Sequence, residues 1–227
     1  MSERSFSPAL FAFLSELRDH NDREWFAENK QRYVDEVQEP AIQFVADFAK
    51  PLARISPNFR ADARPSGGSL FRIHRDIRFS KDKTPYKTHV GIHFRHRSAG
   101  DVHAPGFYLH LEPGGAFAAA GIWHPDTPAQ RGIREAIAGD PGAWRRVTGG
   151  AFAKTYRLEG DKLKRPPPGF DAGHPLIEDI KRKDFVCEAP LAEKAVTSPG
   201  FLEAYAKLCR TAVPFLRFLC RAVDAEF

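Results

Sequence analysis

An α+β fold is what this sequence predicts: a mainly antiparallel sheet of about five to six strands, flanked by N-terminal and C-terminal helices. Three observations carry the prediction. Residues 1–56 show apolar stripes at helical spacing with helix-start signals and no strand pattern. Between residues 59 and 124 the pattern changes to period two, broken by Pro and Gly turn signals. From 126 to 227 helical and mixed segments return and end in a long amphipathic stretch. No repeat or long linker divides the 227 residues, so 1–227 reads as one domain.

The first helix starts at Ser7 and Pro8, a good N-cap and first-turn pair, and runs to about Arg18 with Leu10, Phe11, Leu14 and Leu17 on one stripe. Asn21, with Glu24 three residues on, resembles a capping box for a second helix through Val37. Trp25, Phe26, Asn29, Tyr33 and Val37 share its face, and Trp25, Tyr33 and Trp123 are expected in the core. Pro40 suits the first turn of a third helix to about Arg54, and Pro51 predicts a kink or an early end. Leu70 to Phe79 and Val90 to Arg95 then alternate as two strands. Arg97 to Pro105 reads as a polar loop. Phe107 to Leu111 and Ala116 to His124 form a hairpin around Pro113-Gly114-Gly115. The second hairpin strand carries Ala118, Ala119, Ala120 and Gly121, small residues that let a helix or a ligand approach closely. Helices follow at Pro128–Ala138 and, capped by Asp140, at Gly142–Gly149. A basic, proline-rich connector spans Lys162–Gly173, a short helix Pro175–Lys181, and a further strand Phe185–Ala189. Ser198 and Pro199 start a final helix to about Ala225, with a kink at Pro214.

A hydrophobic share of 42% with 19 phenylalanines supplies a real core. The net charge of +5 and pI of about 9.2 suit an anionic small molecule or a nucleic acid without demanding either. Cys187, Cys209 and Cys220 show neither a CxxC pair nor zinc-ligand spacing, as expected in a reducing compartment. No secretory leader and no membrane-length apolar run is legible, so the expectation is a soluble cytoplasmic protein without a membrane partner.

The chemistry concentrates on one strand face. Arg72, His74, Asp76 and Arg78 alternate with Phe71, Ile73, Ile77 and Phe79, while Arg75 falls on the apolar side. His89, His93 and Arg95 alternate with Val90, Ile92 and Phe94, and Tyr108, His110 and Glu112 alternate with Phe107, Leu109 and Leu111. Arginine forks and lysines bind phosphate or carboxylate, so Arg72, Arg75, Arg78, Lys81, Lys83, Tyr86, Lys87 and Tyr108 are the expected anion-binding residues. Asp76 and Glu112 are the candidate catalytic acid/base residues. The loop SKDKTPYK lacks the glycines of a phosphate-binding P-loop. His74, His93 and His110, with Asp76 or Glu112, are metal-ligand types, but no HxH or HExxH spacing supports a metal site and none is assigned. No nucleophile motif is present: there is no GxSxG, and Cys187, Ser69 and Ser80 lack a paired base.

Together NDREWFAENKQRY, RIHRDIRFSKDKTPYKTHVG and GFYLHLEPGGAFAAAGIWHP resemble the DUF2461 family of uncharacterised proteins, over Phe6 to about Ile137. The RDxRFSKDKxPYK core carries most of the resemblance. It points to Arg72, Arg75, Asp76, Arg78, Lys81, Asp82, Lys83, Tyr86, Lys87, Tyr108 and Glu112. The family pattern has tyrosine where His74 stands and glycines at Ala118 to Ala120, which demotes His74 and the metal reading. The resemblance implies no activity, substrate or cofactor. The expectation is an anion-recognising protein, an enzyme on a phosphorylated or carboxylated small molecule. The alternative is a nucleic-acid-binding or interaction module on the same basic surface, and the third reading is a metal-dependent hydrolase. No motif specifies a cofactor or an oligomeric state.

Overall fold

Five strands build one antiparallel sheet in the computed structural model, which describes residues 5–97 and 104–227. They are β1 (Val90–Arg95), β2 (Gly106–Leu111), β3 (Phe117–Ile122), β4 (Arg157–Glu159) and β5 (Phe185–Pro190). Their spatial order is β1-β2-β3-β5-β4, so the late strand β5 joins the hairpin β2-β3 and β4 takes the edge. The middle of the polar loop expected before Pro105, residues 98–103, lies outside the described residues.

Alternation decides which side chains face which layer. In register, Ile92, Leu109, Ala118 and Ala189 form one row, and Phe94, Phe107, Ala120 and Cys187 the next. All eight are buried. They pack against α4 (Glu39–Ile55) and α10 (Phe201–Ala222), where Phe48 lies 4.8 Å from Phe94 and 4.9 Å from Tyr205 between ring centroids. The small residues of β3 let α10 settle close to the sheet, as expected of a run of alanines. Each buried phenylalanine in this layer contributes about 2–3 kcal/mol of hydrophobic stabilisation.

The helices largely follow their start signals. α1 spans Pro8–Asp19 and α2 Arg23–Glu28. The cap of α2 is Asp22, whose side chain accepts from the Trp25 N–H, rather than the expected Asn21. Asn21 instead both donates to Tyr86 O and accepts from Tyr86 N, each at 3.0 Å, and so ties the basic loop to the helical layer. α3 (Lys30–Tyr33) continues through a π-helical turn, Val34–Gln38, into α4. Pro40 therefore starts no separate helix; the wider turn before it absorbs the missing N–H. Pro51 does not end α4, which continues to Ile55. α5 (Thr127–Gly139) and α6 (Pro141–Thr148) are capped by Asp126 and Asp140. The short helices α7 (Gly150–Thr155), α8 (Ile177–Ile180) and α9 (Glu193–Val196) complete the order, and α7, α9 and β4 were not legible in the sequence.

One expected strand does not form. Residues 70–79 pair with their neighbours through two isolated bridges, Leu70 to Ile92 and His74 to Tyr86, and not through a continuous ladder. The polar groups there are used within the loop instead. Asp76 caps the Arg78 N–H and pairs with its guanidinium, Asp82 and Thr84 hold Arg75, and Lys83 donates to Ile77 O at 2.9 Å. With no ladder to hold it inward, Phe79 is 94% exposed. Trp123 is likewise outside the core at 53% exposed, because it follows the last residue of β3 on the opposite face.

Candidate functional site

A pocket of about 430 Å³ lies on the sheet face opposite α4 and α10. The register builds it. His93, Tyr108, Ala119 and Glu188 stand in one row across β1, β2, β3 and β5. Gly91, His110 and Phe117 form the row on one side, and Arg95, Gly106, Gly121 and Val186 the row on the other. Large rings therefore surround a floor of Ala119, Gly106 and Gly121. Phe71 and Lys87 close one wall and Trp123 another.

Glycines set the ring positions. A Cβ at Gly91 would stand 2.6 Å from the Tyr108 hydroxyl, and a Cβ at Gly106 would collide with the His93 imidazole. Each ring lies over the neighbouring strand in the space its glycine leaves free. Gly121, with φ of +134°, holds β3 tight against the Phe185 carbonyl, where a side chain would not fit.

A hydrogen-bonded chain runs along β2. The Tyr108 hydroxyl lies 3.1 Å from His110 Nδ1, and His110 Nε2 lies 3.1 Å from Glu112 Oε2. Glu112 in turn accepts from Thr88 Oγ1 at 3.4 Å. A carboxylate only accepts, so Nε2 carries the imidazole proton, and Nδ1 accepts from the tyrosine O–H. The three residues stand at alternate positions of one strand, which aims all three at the same face. The His110 ring is stacked 4.5 Å from Phe117 and lies 4.4 Å from the His89 ring, which locks its plane.

Burial governs the charges. It pushes the His93 imidazole down to about 4, with Arg95 adding to the effect. It does the same at His89, to about 4, with His110 and Lys87 adding and Glu112 opposing. His110 is lowered by burial against the opposing pull of Glu112. Tyr108 is raised by burial, then by Glu112 and Glu188, and keeps its proton. The Lys87 ammonium is lowered by burial and by the nearby Arg72. Glu188 is raised by burial and by Glu159. At neutral pH the pocket thus presents uncharged imidazoles and a phenol, with one lysine and one carboxylate in its wall.

Of the residues expected to bind an anion, Lys87 and Tyr108 line this pocket. Arg72 sits beside Lys87, whose Nζ donates to Arg72 O at 2.8 Å. Glu112 is hydrogen-bonded to His110 in the chain that starts at Tyr108. The others are elsewhere. Asp76 and Arg78 pair with each other in solvent at 2.7 Å, and the Arg78 hydrogen bond holds Asp76 down to about 2. Arg75 is taken by Asp82 and Thr84, Lys81 and Lys83 are exposed on the loop, and Tyr86 is buried against Phe26. His74 packs near Phe26 and Tyr86, away from His93 and His110. Among the described residues no group of three or more His, Cys, Asp or Glu side chains could hold a metal ion. Phe117, Trp123, Val186, Glu188 and Gly106 were not legible in the sequence as pocket residues. Alternation in β3 pointed at Ala119 and Gly121, but only the strand order brings Glu188 beside them. Among the described residues no helix is long and apolar enough to cross a membrane.

No curated protein matches the chain. The family described as conserved hypothetical protein DUF2461 matches residues 9–218, nearly the whole length and every element that shapes the pocket. The chain belongs to the DUF2461 family.

Proposed function

We propose that the protein binds a small molecule with an apolar, planar body and one carboxylate, seated in the sheet-face pocket with the carboxylate on Lys87 and Arg72. One observation carries the reading. Lys87 is a half-buried ammonium in the pocket wall whose charge the nearby Arg72 disfavours, and neither side chain joins any ion pair among the described residues. An anion between them relieves that repulsion and satisfies the two Lys87 N–H directions that Arg72 O leaves open. The rings of Phe71, Tyr108, Phe117 and Trp123 suit a flat apolar body, and the volume suits a molecule rather than a polymer. A carboxylate matches this pair better than a phosphate ester, whose second charge would call for the arginines already held by Asp76 and Asp82. The three unbridged, buried thiols suit a reducing compartment, and we place the protein in the cytoplasm.

Naphthoate and its uncharged alcohol, naphthylmethanol, test the reading by titration against the tryptophan fluorescence. Naphthoate is expected to bind, and Lys87→Met to weaken it at least about tenfold, or ~1.4 kcal/mol, while leaving the alcohol unchanged. Equal affinity of wild type and Lys87→Met for naphthoate would sink the proposal.

A further inference from the structure

We infer that the pocket is catalytic, and that Tyr108, His110 and Glu112 form a proton relay that enolises a 2-oxo acid bearing an apolar or aromatic tail. The inference rests on the carboxylate-binding reading of the same pocket and adds a reaction to it. The pocket lining holds no cysteine, serine or threonine among the described residues, but it holds a phenol hydrogen-bonded to an imidazole at 3.1 Å. That imidazole is oriented in turn by a carboxylate at 3.1 Å. This arrangement moves protons. Its resting state is set for accepting one: Tyr108 already donates to His110 Nδ1, so its oxygen offers only lone pairs to a ligand.

The step balances within the pocket. The C–H bond next to the ketone breaks, and its electron pair forms the enol double bond. The carbonyl π pair moves onto oxygen. The proton passes to the Tyr108 oxygen as the Tyr108 proton passes to His110 Nδ1, and the resulting imidazolium is held by Glu112. In a 2-oxo acid the carboxylate and the developing enolate oxygen are adjacent, so Arg72 and Lys87 serve both. Returning the proton completes an exchange with solvent and consumes nothing. Tyr108 is the catalytic base, His110 receives its proton, and Glu112 is a positioning residue.

The test uses the full chain with phenylpyruvate in heavy water and follows loss of the methylene proton signal by NMR, with binding measured separately by tryptophan fluorescence. The wild type is expected to accelerate exchange over buffer. Tyr108→Phe is expected to lower the rate at saturating probe about 100-fold or more. Glu112→Gln, next to His110, removes a charge that raises the His110 pKa and is expected to move the acid limb of the rate profile to lower pH, which a merely structural role would not do. Binding without accelerated exchange overturns this inference and leaves the carboxylate reading standing. Absence of phenylpyruvate binding removes both. Full exchange activity in Tyr108→Phe, or an unmoved profile in Glu112→Gln, overturns the relay.

Discussion

His93 makes stability depend on pH in a way that the structure quantifies. Its imidazole is buried in the pocket wall over Gly106, near the rings of Phe71 and Tyr108, and its pKa falls from an ordinary 6.5 to about 4. In the unfolded chain the same group takes up a proton near 6.5. Between these values the unfolded state binds more protons, so stability is fully present above the unfolded pKa and is lost as pH falls toward the folded one. The slope is about 1.4 kcal/mol per pH unit within that window, and the loss from about pH 7 to about pH 4.5 is ~2 kcal/mol. For a chain of this size that corresponds to roughly 5 °C in melting temperature. Other groups titrate over the same range, and Glu188, with its raised pKa, acts in the opposite direction. The measurement is therefore a difference. Urea unfolding of wild type and His93→Gln is followed at both pH values. The wild-type advantage at neutral pH should shrink by about 2 kcal/mol in acid. Parallel stability curves for the two proteins would refute the reasoning, because they would mean that His93 is hydrated in the folded state.

Four further outcomes follow from single features. Gly121→Ala places a Cβ against the Phe185 carbonyl at a left-handed backbone position, and should lower stability by more than about 3 kcal/mol or prevent folding. Gly114→Ala, with φ of +76° and open space around it, should cost only about 1 kcal/mol in the same denaturant assay. Arg134 is buried and donates to Ile180 O at 2.9 Å and Arg182 O at 2.8 Å, so Arg134→Met leaves both carbonyls unsatisfied. A loss of about 2–4 kcal/mol is expected, read by thermal unfolding. Cys187, Cys209 and Cys220 are buried, and burial raises each thiol, Cys220 to about 12. A thiol reagent near neutral pH should label none of them in the native protein and all of them in denaturant.

Local chemistry was enough to read several parts of this protein. The cap of α6, the turn at Pro113-Gly114-Gly115 and the core faces of β1 and β2 follow from nearest neighbours and a period of two. The same period placed Tyr108, His110 and Glu112 on one face, and the structure joins them in a hydrogen-bonded chain. The resemblance to DUF2461, carried by the RDxRFSKDKxPYK core, holds across residues 9–218. The alternation of residues 70–79 misled for a physical reason. Alternation describes a strand's two faces but not whether a partner strand is present. Here Asp76, Asp82 and Thr84 turn the hydrogen bonds inward before a ladder can form.

What tertiary structure alone decided is which strands lie side by side. β5 comes more than sixty residues after β3, yet it pairs with β3 and sets Glu188 beside Ala119. That choice comes from the burial of Cys187 and Ala189 against the helical layer, a sum over distant contacts that no local window contains. The basic stretch from Arg72 to Lys87 was likewise divided only in three dimensions. Arg75 and Arg78 are neutralised by Asp82 and Asp76 in the loop and Lys81 and Lys83 stay exposed on it, while Lys87, with Arg72 beside it, stands at the pocket with no ion-pair partner among the described residues.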